Sequence, residues 1–236
     1  MKKHIPNILT SLNLFSGAVA TVMAFNGQYL WVVVWVIIAA VFDFFDGFAA
    51  RLLKTYSPIG KELDSLADDI SFGLAPSVAV FTFLKANVYK ISDNALICEY
   101  LPYFAFLLAV FSALRLAKFN VDERQTESFI GLNTPANAMF WVSFIYGLAY
   151  KVPFISSGLV YTVLVGVLVF SILMVSEIPM FSLKIKSLKF KGNESRYFLA
   201  IFMIGLVAYI GIMGIAGGIL LYIALSIINN RTKIEE

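Results

Sequence analysis

The chain is poor in the side chains that most often carry protons or hold metals. Its 236 residues include one cysteine, Cys98, and one histidine, His4. A single thiol excludes an intrachain disulfide and a cysteine-based zinc site. A single imidazole excludes a two-histidine metal site, and His4, ahead of the first apolar run, is not usable as a histidine base. Charge is scarce as well: 14% of residues are charged against 60% hydrophobic, and the mean hydropathy of +0.83 exceeds what a soluble globular domain tolerates. There is no low-complexity tract, no solenoid-type repeat and no linker long enough to divide two domains, so residues 1–236 read as a single integral membrane domain. Any chemistry must come from carboxylates.

Apolar runs long enough to cross a bilayer as helices dominate what is present. They predict spans at 8–26, 30–52, 68–85, 101–118, 135–150, 157–175, 197–213 and 215–230, an all-α polytopic bundle of about eight transmembrane helices. The last two spans could be one segment, but Gly211, Gly214, Gly217 and Gly218 suggest a tight turn between them. Met1 to Leu9 lacks the pattern of a cleaved signal peptide, so the first run is expected to be a retained helix.

The basic residues predict an orientation, because cytoplasmic loops carry excess Lys and Arg. With the N-terminus inside, only Lys85, Lys90 and Lys151 fall outside, and the other lysines and arginines lie on or near the cytoplasmic side. Both termini and the 54–67 connection are then cytoplasmic. The segment KIKSLKFK, Lys184 to Lys191, adds a basic apolar surface suited to anionic membrane lipids, although topology alone also calls for positive charge there.

Acids interrupt the apolar pattern in one place, DFFDGFAARLLKTYSPIGKELDSLADD, residues 43–69. A carboxylate at bilayer depth costs roughly 2.5–3.5 kcal/mol, so acids at such positions point to function. On a helix, Asp46 lies roughly 60° to one side of Asp43, while Gly47 and Arg51 lie roughly 40° and 80° to the other. Gly60, Asp64 and Asp68 advance by roughly 40° per four-residue step and form a stripe on the next helix. Ser57 and Pro58 suit a turn entering that helix. Phe44, Phe45 and Phe48 point away, toward lipid or other helices. Two antiparallel helices can therefore bring four acids together. Oxygen-rich sites suit hard divalent cations such as Mg2+ or Mn2+, and two such ions can clamp a phosphoryl displacement. Glycine permits close approach of a phosphate, and Arg51 can meet its oxygens bidentately. Two other readings stand beside this one: ion pairing of the acids with Arg51, Lys54 and Lys61, and a proton or cation relay in an ion-coupled transporter.

The run Asp43-x-x-Asp46-Gly47-x-x-Ala50-Arg51, eight further residues, then Gly60-x-x-x-Asp64-x-x-x-Asp68 resembles the complete signature of the CDP-alcohol phosphotransferases. These membrane enzymes displace CMP from a CDP-linked donor with an alcohol. The resemblance implies a six-helix catalytic core, two divalent ions on Asp43, Asp46, Asp64 and Asp68, and Asp68 as general base. It also implies that Gly47, Ala50, Arg51, Ser57 and Gly60 surround the CDP moiety, with Asn7 and Thr10 of the entry helix beside it. A homodimer is implied too, and no nucleic acid. Asp69 lies about 100° off the stripe and is expected to be supporting or structural.

The segments PNILTSLNLFSG, DSLADDISFGLAPS, ALRLAKFNV and FIGLNTPANA are similar to the bacterial and archaeal phosphatidylserine synthases of this family. That resemblance implies CDP-diacylglycerol as donor and L-serine as acceptor. Lys118 stands where those enzymes more often have Arg, and Asn133-Thr134-Pro135 where they more often have a Leu-Pro-x-Pro run. Serine carries a carboxylate, so Arg115 and Lys118, three apart on one helix face, are candidate acceptor-binding residues. Asn120 can add a polar contact. Both cations also suit topology anchors, and glycerol 3-phosphate is the alternative acceptor.

Overall fold

The computed structural model describes residues 4–55, 57–122, 129–180 and 193–234. The basic segment Lys184 to Lys191 lies outside these residues. Within them the chain is helical, apart from a two-residue antiparallel pairing of β1 (Phe129–Ile130) with β2 (Pro179–Met180).

The helices are α1 (Ile5–Phe25), α2 (Tyr29–Leu53), α3 (Pro58–Asp68), α4 (Ala75–Asn87), α5 (Ala95–Tyr100), α6 (Leu107–Val121), α7 (Thr134–Tyr150), α8 (Ser157–Val175), α9 (Glu194–Ile210) and α10 (Met213–Ile234). A π-helical stretch, Asp69–Leu74, joins α3 to α4, and a 3₁₀ stretch, Leu101–Phe106, joins α5 to α6. Each of those joins makes one continuous rod, so the described residues form eight helical rods, the number expected. The fourth rod starts at Ala95, six residues before its expected span, because Asn94 caps it by accepting from Leu96 N and Ile97 N.

By length and composition, five rods are fit to cross a membrane: α1, α2, Pro58–Lys90, Ala95–Val121 and α8. The protein is therefore a multi-pass membrane protein. Helices α7 and α9, at 17 residues each, and the apolar part of α10 are shorter. Helix α7 is also largely enclosed, with Trp141 and Ile145 fully buried.

Local chemistry sets the helix boundaries near the acids. Lys54, in a left-handed conformation (φ 50°), closes α2. Ser57 then caps α3 by accepting from Gly60 N at 3.1 Å, with Pro58 in the first turn, where a missing N–H costs nothing. Asn133 caps α7 in the same way through Ala136 N, at 2.8 Å.

Helix α1 presents small and polar residues inward, namely Thr10, Asn13, Ser16, Gly17, Ala20 and Ala24. Small side chains let neighbouring backbones approach closely, which is how membrane helices pack without a hydrophobic drive between them. Gly17 shows this most sharply: a Cβ there would sit 2.2 Å from Ser71 Oγ and 2.6 Å from Ser71 Cα. At the other end of the chain, Gly211 (φ +69°) makes the turn between α9 and α10, so residues 197–230 hold two helices. Gly214, Gly217 and Gly218 lie within α10, against Leu206 and Met203 of α9, and only Gly211 serves the turn.

Candidate active site

Asp43, Asp64 and Asp68 converge. Each offers a carboxylate oxygen, and the three atoms lie within 4.8 Å of one another. Charges so spaced repel by about 3 kcal/mol per pair at an effective dielectric of roughly 20. Among the described residues no Lys or Arg comes within ion-pair distance of these acids or of Asp46. Pairing with Arg51, Lys54 or Lys61 therefore does not account for them. Asp64 Oδ1 is buried and has no hydrogen-bond partner. A cluster of uncompensated oxygen donors, one of them orphaned, fits a hard divalent cation.

Two hydrogen bonds from α1 hold the acids in place. Thr10 Oγ1 donates to Asp46 Oδ2 at 2.7 Å, and Asn13 Nδ2 donates to Asp68 Oδ1 at 3.1 Å. Asn13 is held in turn by Ser71 Oγ of the π-helical stretch, which donates to its carbonyl at 3.0 Å. The wide turn begins directly after Asp68, and such turns recur at functional sites. Asn13 is not among the residues that the family resemblance places at the site. Its signal was there to find, since Asn7, Thr10 and Asn13 fall on one face at steps of three.

Two cavities meet at the acids. One, of about 520 Å³, is lined by Asn7, Thr10, Asp46, Gly47, Ala50, Arg51, Ser57, Gly60 and Asp64, together with Pro6, Thr55, Pro58 and Lys61. Every residue expected around the CDP moiety is among them. Gly60 permits a convergence here: a Cβ would lie 2.9 Å from Ser57 Oγ and 3.0 Å from Asn7 Oδ1. Arg51 reaches back over Gly47, its Nη1 3.5 Å from where a Cβ would stand.

The other cavity, of about 590 Å³, contains Asp43, Asp64 and Asp68 on one side and Arg115 of α6 on another. The first turn of α7 and residues of α9 and α10 complete it. Asp64 lines both cavities. Lys118 lines neither; it pairs with Glu177, just past α8, and reaches Val175 O at the helix's last residue. Asp69 also lines neither cavity and faces Gly73 and Ser112. Between the cavities, Lys61 Nζ donates to Asn120 O and Asn120 Nδ2 to Ser65 Oγ, both at 2.8 Å, tying α3 to α6. Phe44, Phe45 and Phe48 are exposed on the outer surface, at 63%, 48% and 48%, as lipid-facing residues would be.

The family model described as CDP-alcohol phosphatidyltransferase matches residues 3–175, which end at the last residue of α8 and so take in the first six rods. The chain belongs to the CDP-alcohol phosphatidyltransferase family. Membership decides against the ion-coupled transporter. Among curated relatives, the CDP-diacylglycerol–serine O-phosphatidyltransferase of Helicobacter pylori is 31% identical over 205 residues, covering 86% of this chain and 80% of the relative. The protein of that name from Methanocaldococcus jannaschii is 30% identical over 210 residues, 88% of this chain and 84% of its own. An archaetidylserine synthase of Methanothermobacter thermautotrophicus is 30% identical over 142 residues, 59% of this chain and 57% of its own.

Proposed function

We propose that this CDP-alcohol phosphatidyltransferase transfers the phosphatidyl group of CDP-diacylglycerol to the hydroxyl of L-serine, giving phosphatidylserine and CMP. The observation that carries the proposal is the position of the acids, on the wall where a cavity lined by the family signature meets a cavity containing Arg115. The names of the relatives favour serine over glycerol 3-phosphate, and the archaeal enzyme shares that acceptor in its name while differing in the lipid.

In this reading the first cavity holds the cytidine diphosphate. Asn7, Ser57 and Gly60 form one wall and Gly47, Ala50 and Arg51 the other, with the Arg51 guanidinium on phosphate oxygens. Asp43, Asp46, Asp64 and Asp68 hold two divalent ions, Mg2+ or Mn2+. When bound, these offset the charge of the diphosphate and of departing CMP. The serine carboxylate pairs with Arg115, which presents the hydroxyl to Asp68. The carboxylate of Asp68 takes the hydroxyl proton as the serine oxygen bonds to the phosphatidyl phosphorus and the phosphoanhydride bond to CMP breaks. Asn13 holds one Asp68 oxygen and so leaves the other for the substrate.

The proposal places the site and both termini at the cytoplasmic face, on the bias of Lys and Arg. It also takes the enzyme as a homodimer among membrane lipids, as the family resemblance implies. Purified protein given CDP-diacylglycerol, Mn2+ or Mg2+ and radiolabelled serine should move label into chloroform-soluble lipid, and EDTA should stop it. Label that stays in the aqueous phase under either metal contradicts the reading.

A further inference from the structure

The cavity containing Arg115 is only partly explained by that arginine. Its other polar edge is the start of α7, where Asn133, Thr134, Pro135 and Ala136 all line it. A helix N-terminus favours an anion, and two further observations mark this one. Thr134 is 1% exposed and its Oγ1 has no hydrogen-bond partner, and Arg115 is 6% exposed with its Nε also unpartnered. Buried polar groups are nearly always satisfied, so two orphans lining one cavity fit a ligand that supplies acceptors to both. The Asn133 side chain is spent on capping Ala136 N, and Pro135 has no N–H, which leaves the Thr134 hydroxyl as the side-chain donor of this turn. The Arg115 guanidinium lies 5.8 Å from the Phe119 ring centroid, a contact that restrains its plane. Ile219 and Tyr222 of α10, beyond residue 175, line the same cavity.

We propose that Thr134, at the first turn of α7, and Arg115 together seat the carboxylate of the acceptor, so that the cavity selects a small hydroxylated α-amino acid. This rests on the serine reading above and adds to it the residue that distinguishes a carboxylate-bearing alcohol. The seat is built from this chain's own Asn133-Thr134-Pro135 turn rather than from the signature.

The test is steady-state kinetics of wild type, Thr134→Val and Thr134→Ser, varying serine and CDP-diacylglycerol in turn. Loss of one hydrogen bond to a charged group predicts that Thr134→Val raises the KM for serine by about tenfold, with the KM for CDP-diacylglycerol unmoved. Thr134→Ser, which restores the hydroxyl, should return the serine KM to within about twofold of wild type, since the hydrogen bond itself is regained. A parallel rise in both KM values, an unmoved serine KM, or a Thr134→Ser variant as impaired as Thr134→Val would overturn the proposal. If the wild type itself fails to use serine, the functional reading falls before any variant is made, and the carboxylate seat falls with it.

Discussion

Asn13 Nδ2 donates to Asp68 Oδ1 at 3.1 Å, from a side chain that is wholly buried in α1. The bond crosses from the first helix to the third and fixes the carboxylate that the proposed mechanism uses as base. Asp68→Asn should lower kcat by about 10²–10⁴, the range for a lost general base. Asn13→Ala should lower kcat by about tenfold, the equivalent of one hydrogen bond, with little change in either KM. Initial rates of CMP release check both, and a KM effect without a kcat effect would assign Asn13 to binding instead.

Thr10 acts one turn earlier on a different acid. Its hydroxyl both donates to Asp46 and lies 3.0 Å from Pro6 O. Partners that orient a metal-binding carboxylate affect metal affinity by about 10–100-fold, so Thr10→Val should raise the half-saturating Mn2+ concentration by about tenfold. A titration of activity against Mn2+ reads this directly. An unchanged half-saturation would remove Asp46 from the metal site.

Much of this site was legible in the sequence. The two acidic faces, 43/46/47/51 and 60/64/68, follow from helical period alone, and the structure sets both on the cavities. Helical period is a local property, so it survives folding. The π-helical stretch was not legible: no local pattern marks it, and its Ser71 packs against Gly17 of α1, an encounter between residues far apart in sequence. Tyr222 was missed for the same reason, since only packing brings α10 to the cavity of Asp68, while Thr134 stood out only as part of the Asn133-Thr134-Pro135 departure from the family's run. The C-terminal pair of helices was legible as far as its turn, while the packing roles of Gly214, Gly217 and Gly218 needed the partner helix.

That approach of α1 makes a stability prediction. Gly17→Ala would place a methyl group 2.6 Å from the Ser71 backbone, so the helices must move apart. Overpacking of this kind costs about 1–3 kcal/mol. Gly205→Ala, where a Cβ meets nothing within 4 Å, is the control and should not destabilise. Thermal unfolding in detergent should show a lower Tm for Gly17→Ala only, and equal Tm values would contradict the packing argument.

Arg115 and Lys118 should separate in their effects. Arg115 is buried at the cavity, whereas Lys118 and Glu177 form a solvent-exposed pair, with side chains 37% and 61% exposed. Losing a charged hydrogen-bonding group should raise the serine KM of Arg115→Ala by about 10–100-fold. Exposed pairs contribute about 0–1 kcal/mol, so Lys118→Ala should change the serine KM by less than about threefold, the ordinary reach of such a pair. Equal effects would bring Lys118 into the acceptor site.

The account turns on which alcohol reaches Asp68. Purified protein with CDP-diacylglycerol and Mg2+ or Mn2+ should be given L-serine, glycerol 3-phosphate or no acceptor, and CMP release followed in each. The account predicts the fastest release with serine and little without an acceptor. Faster release with glycerol 3-phosphate would contradict it.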